Sequence, residues 1–361
     1  MIWYWSLLLF PAWWAIRGCT IAGTPLSGRA ERTAWLITGI LLAITIGLRH
    51  EVGGDWLVYA ANLTEIYEQN LSLHEIVASR DPAFAFLGWI SEPLGEDYFV
   101  NMVSACIFTF GLLQFCRAQP QPWLAITIAI PYLVIVVAMG YTRQGVAIGL
   151  ALLGILALQR QQLLKFLVWI VIAATFHRTA VILIALALFS SSKSRLIALL
   201  GAGVVGGVAF VLLLQEAVDH FLIHYVGAEM ESTGAAIRVV MNALPAVLFL
   251  LFRKRFSLPA DQLKFWTWVA VSAIVFIPLL IASPSSTAVD RVALYWIPIQ
   301  IFVLSRLPGA LSANRRRIRT ITLTVLAYCL AVQLTWLFFA THASYWVPYK
   351  FFPIEWIKNI L

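Results

Sequence analysis

The chain has 361 residues, of which 61% are hydrophobic and 12% charged, with a formal charge of +8 and a mean hydropathy of +0.86. A soluble domain of this size has no interior large enough for so much apolar surface. Composition therefore excludes a soluble enzyme or nucleic-acid-binding protein and predicts an all-α, polytopic transmembrane protein.

Apolar runs recur along the whole chain, and their lengths predict about twelve spans across roughly 30 Å of hydrocarbon. The first, 1–16, lacks a basic n-region and a small-residue cleavage site, so it reads as a membrane helix that is kept. A second span, 33–48, leads into the longest loop, 49–97, which is acidic and broken by Gly53-Gly54, Asp81-Pro82 and Glu92-Pro93. Within it Leu71–Ala78 and Ala83–Ile90 are apolar but too short to cross. They are expected to lie on the outer face as short amphipathic helices.

Spans 98–116, 123–140 and 142–158 follow. The next two, 163–176 and 179–189, meet at His177-Arg178, and each is too short to reach the far surface. Irregular backbone at that depth survives only against protein or water, which predicts a water-filled cavity with this pair on its floor. The remaining spans are 196–214, 237–252, 264–282, 292–305 and 320–340, with an aromatic tail from Thr341 to Lys350. No repeat or linker divides the chain, so residues 1–361 read as a single integral membrane domain.

Loop charge fixes orientation. The loops after the odd-numbered spans hold 17 of the 25 Lys and Arg residues but only Glu31 and Asp261 among the acids. The positive-inside rule places that side in the cytoplasm and both termini on the outer face of a bilayer. The other eight basic residues lie on the side where the bias disfavours them.

Most of these stand beside span ends. Arg49 precedes Val52-Gly53-Gly54-Asp55-Trp56 and Tyr59. Tyr141-Thr142-Arg143-Gln144 joins two spans, and His177-Arg178 joins two more. Arg238, Asp290-Arg291 with Tyr295, and Tyr349-Lys350 complete the set. The guanidinium fork matches phosphate oxygens and never deprotonates, so such a cluster suits an anionic, diphosphate-bearing ligand. Plainer readings compete: Arg49 snorkelling, Arg143 and Arg291 in structural pairs with Asp55 or Asp290, Arg238 and Lys350 as interfacial anchors, and His177 as a satisfied core histidine.

The four cysteines have neither disulfide-framework nor zinc spacing. His220 and His224 lie four apart without an obvious third ligand. There is no phosphate-cradling Gly-Lys-Ser/Thr loop, dinucleotide fingerprint, nucleophile elbow or Asp-x-Asp. No cofactor and no metal is expected. The energy for any reaction must come from the substrate.

In order along the chain, Arg49 with Val52-Gly53-Gly54-Asp55-Trp56 and Tyr59, Arg143-Gln144, Phe176-His177-Arg178-Thr179, Arg291 with Tyr295, and Pro348-Tyr349-Lys350 resemble the motifs of the EpsG-like family of Wzy-type polysaccharide polymerases. The resemblance implies an architecture like the C-type membrane glycosyltransferases and a location in the bacterial inner membrane. It implies a metal- and nucleotide-independent polymerase of O-antigen, capsule or exopolysaccharide units carried on undecaprenyl diphosphate. Chain-length regulator and flippase proteins would be further partners. In that setting Arg49, Arg143, Arg178 and Arg291 are expected to bind the diphosphate. Trp56, Tyr59, Gln144, Tyr295 and Tyr349 are expected at the sugars. The general base is expected to be either His177 or its rival Asp55. A lipid-oligosaccharide transporter or flippase, and an O-antigen ligase, are the alternative functions.

Overall fold

The computed structural model describes residues 1–20, 28–69, 71–186, 234–283 and 285–360, and these are helical almost throughout. α1 (Ile2–Thr20) and α2 (Gly28–Gly47) precede three short helices of the outer loop: α3 (Trp56–Glu68), α4 (Leu73–Val77) and α5 (Pro82–Ser91). α6 (Glu96–Arg117) runs back through the bundle. α7 (Pro122–Ala129) continues into a π-helical stretch, Ile130–Ala138. α8 (Thr142–Gln159) and α9 (Leu163–Phe176) follow, then a 3₁₀ turn, Arg178–Leu183. The second half holds α10 (Ala235–Phe252), α11 (Ala260–Ala282), α12 (Ser286–Ala293), α13 (Pro298–Leu311), α14 (Arg315–Phe339) and α15 (Phe352–Ile360).

Among the described residues six helices are long and apolar enough to cross a membrane, namely α2, α6, α8, α10, α11 and α14, or seven if the bent pair α12–α13 counts as one span. The chain is thus a multi-pass helical membrane protein. The expected span 196–214, residues 187–189 at the end of the expected span 179–189, and His220 and His224 lie outside the described residues.

Local chemistry explains the helix starts. Pro82, Pro122 and Pro298 each open a helix, where the missing N–H costs nothing. Ser72 and Glu75 form a reciprocal capping box on α4. Asn314 Oδ1 accepts from the backbone N–H of Arg316 and Arg317 and starts α14 just ahead of its basic first turn.

α8 is buried along nearly all its length and forms the centre of the bundle. Gly111 of α6 and Gly149 of α8 face each other, and a Cβ on either would meet the other helix's backbone. Small residues at such a crossing let membrane helices approach closely, where no hydrophobic force draws them together.

Three departures from expectation matter for the site. The run 292–305 is no single straight helix. It breaks before Pro298, which has no N–H to continue the helix, and α12 meets α13 at a bend of 45°. The outer loop holds one helix more than expected, α3, whose buried Trp56, Tyr59 and Leu63 recur at helical spacing. The tail folds back as a strap. His50 N donates to Lys350 O at 3.0 Å, Phe352 N to Leu48 O at 2.9 Å and Gly53 N to Tyr345 O at 2.9 Å.

Gly53 has to be glycine twice over. Its φ is +110°, and a Cβ there would strike the Met139 carbonyl oxygen. The loop after α2 is thereby pressed onto the end of the π-helical stretch, and Asp55 N reaches Gly140 O at 3.4 Å.

Candidate active site

Behind that loop lies a cavity of about 210 Å³ lined by residues from six parts of the chain. The loop before α3 supplies Asp55, and α3 supplies Tyr59. The turn before α5 brings Arg80 and Asp81, and the start of α8 brings Tyr141, Arg143 and Gln144. The break after α9 brings His177, Arg178 and Thr179, and α12 brings Arg291.

α9 is 14 residues long, about 21 Å at 1.5 Å per residue. It stops well short of a hydrocarbon layer of roughly 30 Å. The chain then turns extended at His177 (φ −155°, ψ 106°) and winds into the 3₁₀ turn that begins at Arg178.

The arginines are held apart from one another by acids and rings. Arg143 Nη1 donates to Asp81 Oδ2 at 3.0 Å, and its guanidinium lies 5.2 Å from the Tyr59 ring centre. Asp81 Oδ1 accepts from the backbone N–H of Arg178 at 3.2 Å. Arg291 Nη1 stands 3.8 Å from Asp55 Oδ2, and its guanidinium rests over the Tyr141 ring at 4.1 Å. Arg143 and Arg291 remain about a third exposed, at 28% and 34%.

His177 Nδ1 sits 2.6 Å from Thr179 Oγ1 and 3.3 Å from the Tyr295 hydroxyl. That pair of contacts fixes the ring and leaves Nε2 as its other polar edge. Burial lowers the His177 pKa, and the charges of Arg143, Arg291, Arg80 and Arg178 push it down further. The imidazole is therefore neutral at physiological pH. Burial raises the Asp55 carboxyl, opposed by Arg291, Arg143 and the Tyr59 hydroxyl. Asp81 is likewise raised by burial and drawn back by Arg143.

Gln144 is almost fully buried. Its Nε2 donates to Arg291 O at 2.6 Å, while Oε1 has no hydrogen-bond partner.

Of the residues singled out from the sequence, Asp55, Tyr59, Arg143, Gln144, His177, Arg178 and Arg291 come together around this cavity. Tyr295 stands just behind, touching His177 and Thr179. Arg49, Trp56 and Tyr349 line no part of it. Arg49 is 1% exposed. It donates to Ile46 O, Val52 O, Asn101 Oδ1 and Thr142 Oγ1, and its guanidinium sits 5.4 Å from the Trp56 ring centre. Tyr349 OH donates to Thr45 O at 2.8 Å, under the tail strap. Arg238 pairs with Asp290 through two 2.6 Å contacts, and Lys350 pairs with Glu51 at 2.5 Å.

Arg80 and Asp81 are lining residues outside every motif, and Thr179 stands in one without a role having been assigned to it. The signal for Arg80 was present: it is one of the eight basic residues on the disfavoured side. Among the described residues no three His, Cys, Asp or Glu side chains gather as metal ligands would.

No curated protein and no solved structure matches the chain. A family model does match, over residues 32–351, which takes in every lining residue of the cavity, and the chain belongs to the EpsG family, a family of Wzy-like polysaccharide polymerases and transmembrane proteins.

Proposed function

We propose that the cavity polymerises oligosaccharide repeat units carried on undecaprenyl diphosphate, at the periplasmic face of the bacterial inner membrane. The observation that carries this reading is the convergence of Arg80, Arg143, Arg178 and Arg291 on one small cavity, on the side of the membrane where the charge bias disfavours them. A cluster of cations retained there calls for an anion. A lipid diphosphate is an anion that arrives through the bilayer.

The reaction is a glycosyl transfer. The bond between the anomeric carbon of the growing chain and its diphosphate oxygen breaks, and the lipid diphosphate leaves with the electron pair. A hydroxyl oxygen of the next unit takes the anomeric carbon and gives up its proton. Arg143, Arg178 and Arg291 hold the diphosphate and stabilise the charge that develops as it departs. Arg80 adds a fourth cation at the rim.

His177 is the base for the hydroxyl proton. Its neutral ring can accept at Nε2 while Thr179 and Tyr295 hold Nδ1. The cations that depress its pKa are the ones the diphosphate neutralises, so substrate binding raises its basicity when it is needed. Asp55 is the second candidate, oriented by Tyr59 at 3.4 Å and by Arg291. Gln144 Oε1 is an acceptor for a sugar hydroxyl, and the Tyr59 ring offers a face for a sugar. Arg49 is assigned to positioning: it ties the end of α2 to the start of α8 and so sets the mouth of the cavity.

The test uses purified lipid-linked repeat units and the reconstituted protein. His177→Ala and Arg178→Lys should each shorten or abolish the polymer. Full-length product from both variants would end the proposed roles.

A further inference from the structure

Trp346, in the tail, is one of the largest fully buried side chains of the protein, at 1% exposed. It lines no part of the arginine cavity but packs behind two segments that do. A Cβ added at Gly140 would run into its indole ring, and one at Gly54 would stand in ordinary contact with the same ring at 3.7 Å. Gly54 precedes Asp55, and Gly140 precedes Tyr141, Thr142 and Arg143. One indole is thus seated against the Asp55 loop and against the start of α8.

Its own place is fixed from several sides. Nε1 donates to Ile135 O at 2.7 Å, a carbonyl inside the π-helical stretch that leads to Gly140. Such stretches are rare and gather at functional sites. The Trp346 carbonyl accepts from the Tyr4 hydroxyl of α1 at 2.7 Å, and Trp336 of α14 stands edge-on with ring centres 5.1 Å apart. These contacts are separate from those that close the tail strap. His50 N to Lys350 O, Phe352 N to Leu48 O and Tyr349 OH to Thr45 O hold the strap without the indole.

The two segments behind which Trp346 sits both hold Arg291. Asp55 Oδ2 lies 3.8 Å from Arg291 Nη1, and the Tyr141 ring carries the guanidinium at 4.1 Å. The place of Arg291 therefore depends on the spacing between the Asp55 loop and Tyr141. We infer that Trp346 is a positioning residue: it sets that spacing from behind, and through it the place of Arg291 in the cavity. This goes beyond the polymerase reading and takes from it that the cavity holds a diphosphate.

The test is isothermal titration of the full chain in nanodiscs with inorganic pyrophosphate, with the thermal midpoint of each variant measured beside it. Trp346→Phe keeps an aromatic ring, loses the N–H and leaves a gap at Gly140. Gly140→Ala does the reverse and drives a Cβ into the indole. A displacement of about 1 Å can cost about 10²-fold at a reacting centre, and here it moves one cation of several, so each variant should raise the pyrophosphate Kd about tenfold while fully folded. In the double variant the smaller ring leaves room for the Cβ, and Kd should return to within about twofold of the unsubstituted protein. A tail that served folding alone would lower the thermal midpoint and leave the Kd of the folded protein unchanged. Unchanged Kd in the single variants would overturn the inference, and so would a double variant in which the two losses multiply. Where one single variant does not fold, the Kd of the other decides by the same criterion. Binding is read without turnover, which separates two failures. Shifted Kd values from a protein that makes no polymer uphold this inference and sink the polymerase reading. Polymer formed with unshifted Kd values sinks this inference alone.

Discussion

Asp81 Oδ2 accepts a hydrogen bond from Arg143 Nη1 at 3.0 Å, and through its other oxygen the same carboxylate receives the backbone N–H of Arg178 at 3.2 Å. One acid from the outer loop thus aims two cationic residues that come from different helices. Asp81→Asn keeps the shape and removes the charge. Hydrogen bonds to charged groups contribute about 1.5–3 kcal/mol, so the polymerisation rate should fall about 10- to 100-fold. Initial rates from lipid-linked repeats check this, and an unchanged rate would show that Asp81 does not position the arginines.

Arg143→Lys and Arg291→Lys keep the charge and lose the planar fork. Each should raise KM for the lipid-linked unit about tenfold, with inhibition by inorganic pyrophosphate weakened in parallel. Pyrophosphate inhibition constants for the three proteins are the measurement.

The pH profile follows from His177. Burial and four surrounding arginines hold its pKa below the ordinary histidine value, and the neutral ring is the active base. The ratio kcat/KM, which reports the free enzyme, should therefore persist as pH falls through the ordinary histidine range and drop only as pH passes through the depressed value. Removing one cation with Arg291→Gln should move that acid limb to higher pH. His177→Ala should cost about 10²–10⁴-fold in rate, the usual range for a lost general base, and should abolish the limb. An acid limb that stays in place in Arg291→Gln would contradict the electrostatic account.

Arg49 and Gly53 are expected to act on the fold. Arg49→Lys cannot serve Ile46 O, Val52 O, Asn101 and Thr142 together, so it should lower the thermal midpoint in detergent more than Arg143→Lys does. Gly53→Ala meets both a positive φ and the Met139 carbonyl, and should lower stability by more than about 1 kcal/mol. Thermal unfolding of the three variants side by side checks both.

Much of this site was readable before the fold was known. Arg143, Arg178 and Arg291 stood out because the charge bias of the loops made them anomalous, and spans too short to cross placed His177 at depth. These are one-dimensional signals: charge against topology, and length against bilayer thickness. Arg49 carries the same anomaly but a different environment. Its guanidinium is consumed by backbone carbonyls from its own turn and by Asn101 and Thr142, partners that no spacing rule connects to it. Asp81 was read as a helix breaker because it precedes Pro82, which it is. Its second role appears only when the outer loop folds over α8, 62 residues on. The break between α12 and α13 was hidden because Leu294–Trp296 and Pro298 are apolar enough to read as one span.

The central claim is that the arginine cavity releases a lipid diphosphate as it joins two sugars. Proteoliposomes holding the purified protein and a lipid-linked repeat unit test it most directly, with polymer bonds and free lipid diphosphate counted in the same sample. The account predicts one lipid diphosphate released for each bond formed, with both lost in His177→Ala. Lipid-linked units that cross the bilayer with neither polymer nor diphosphate release would contradict it and make the protein a transporter.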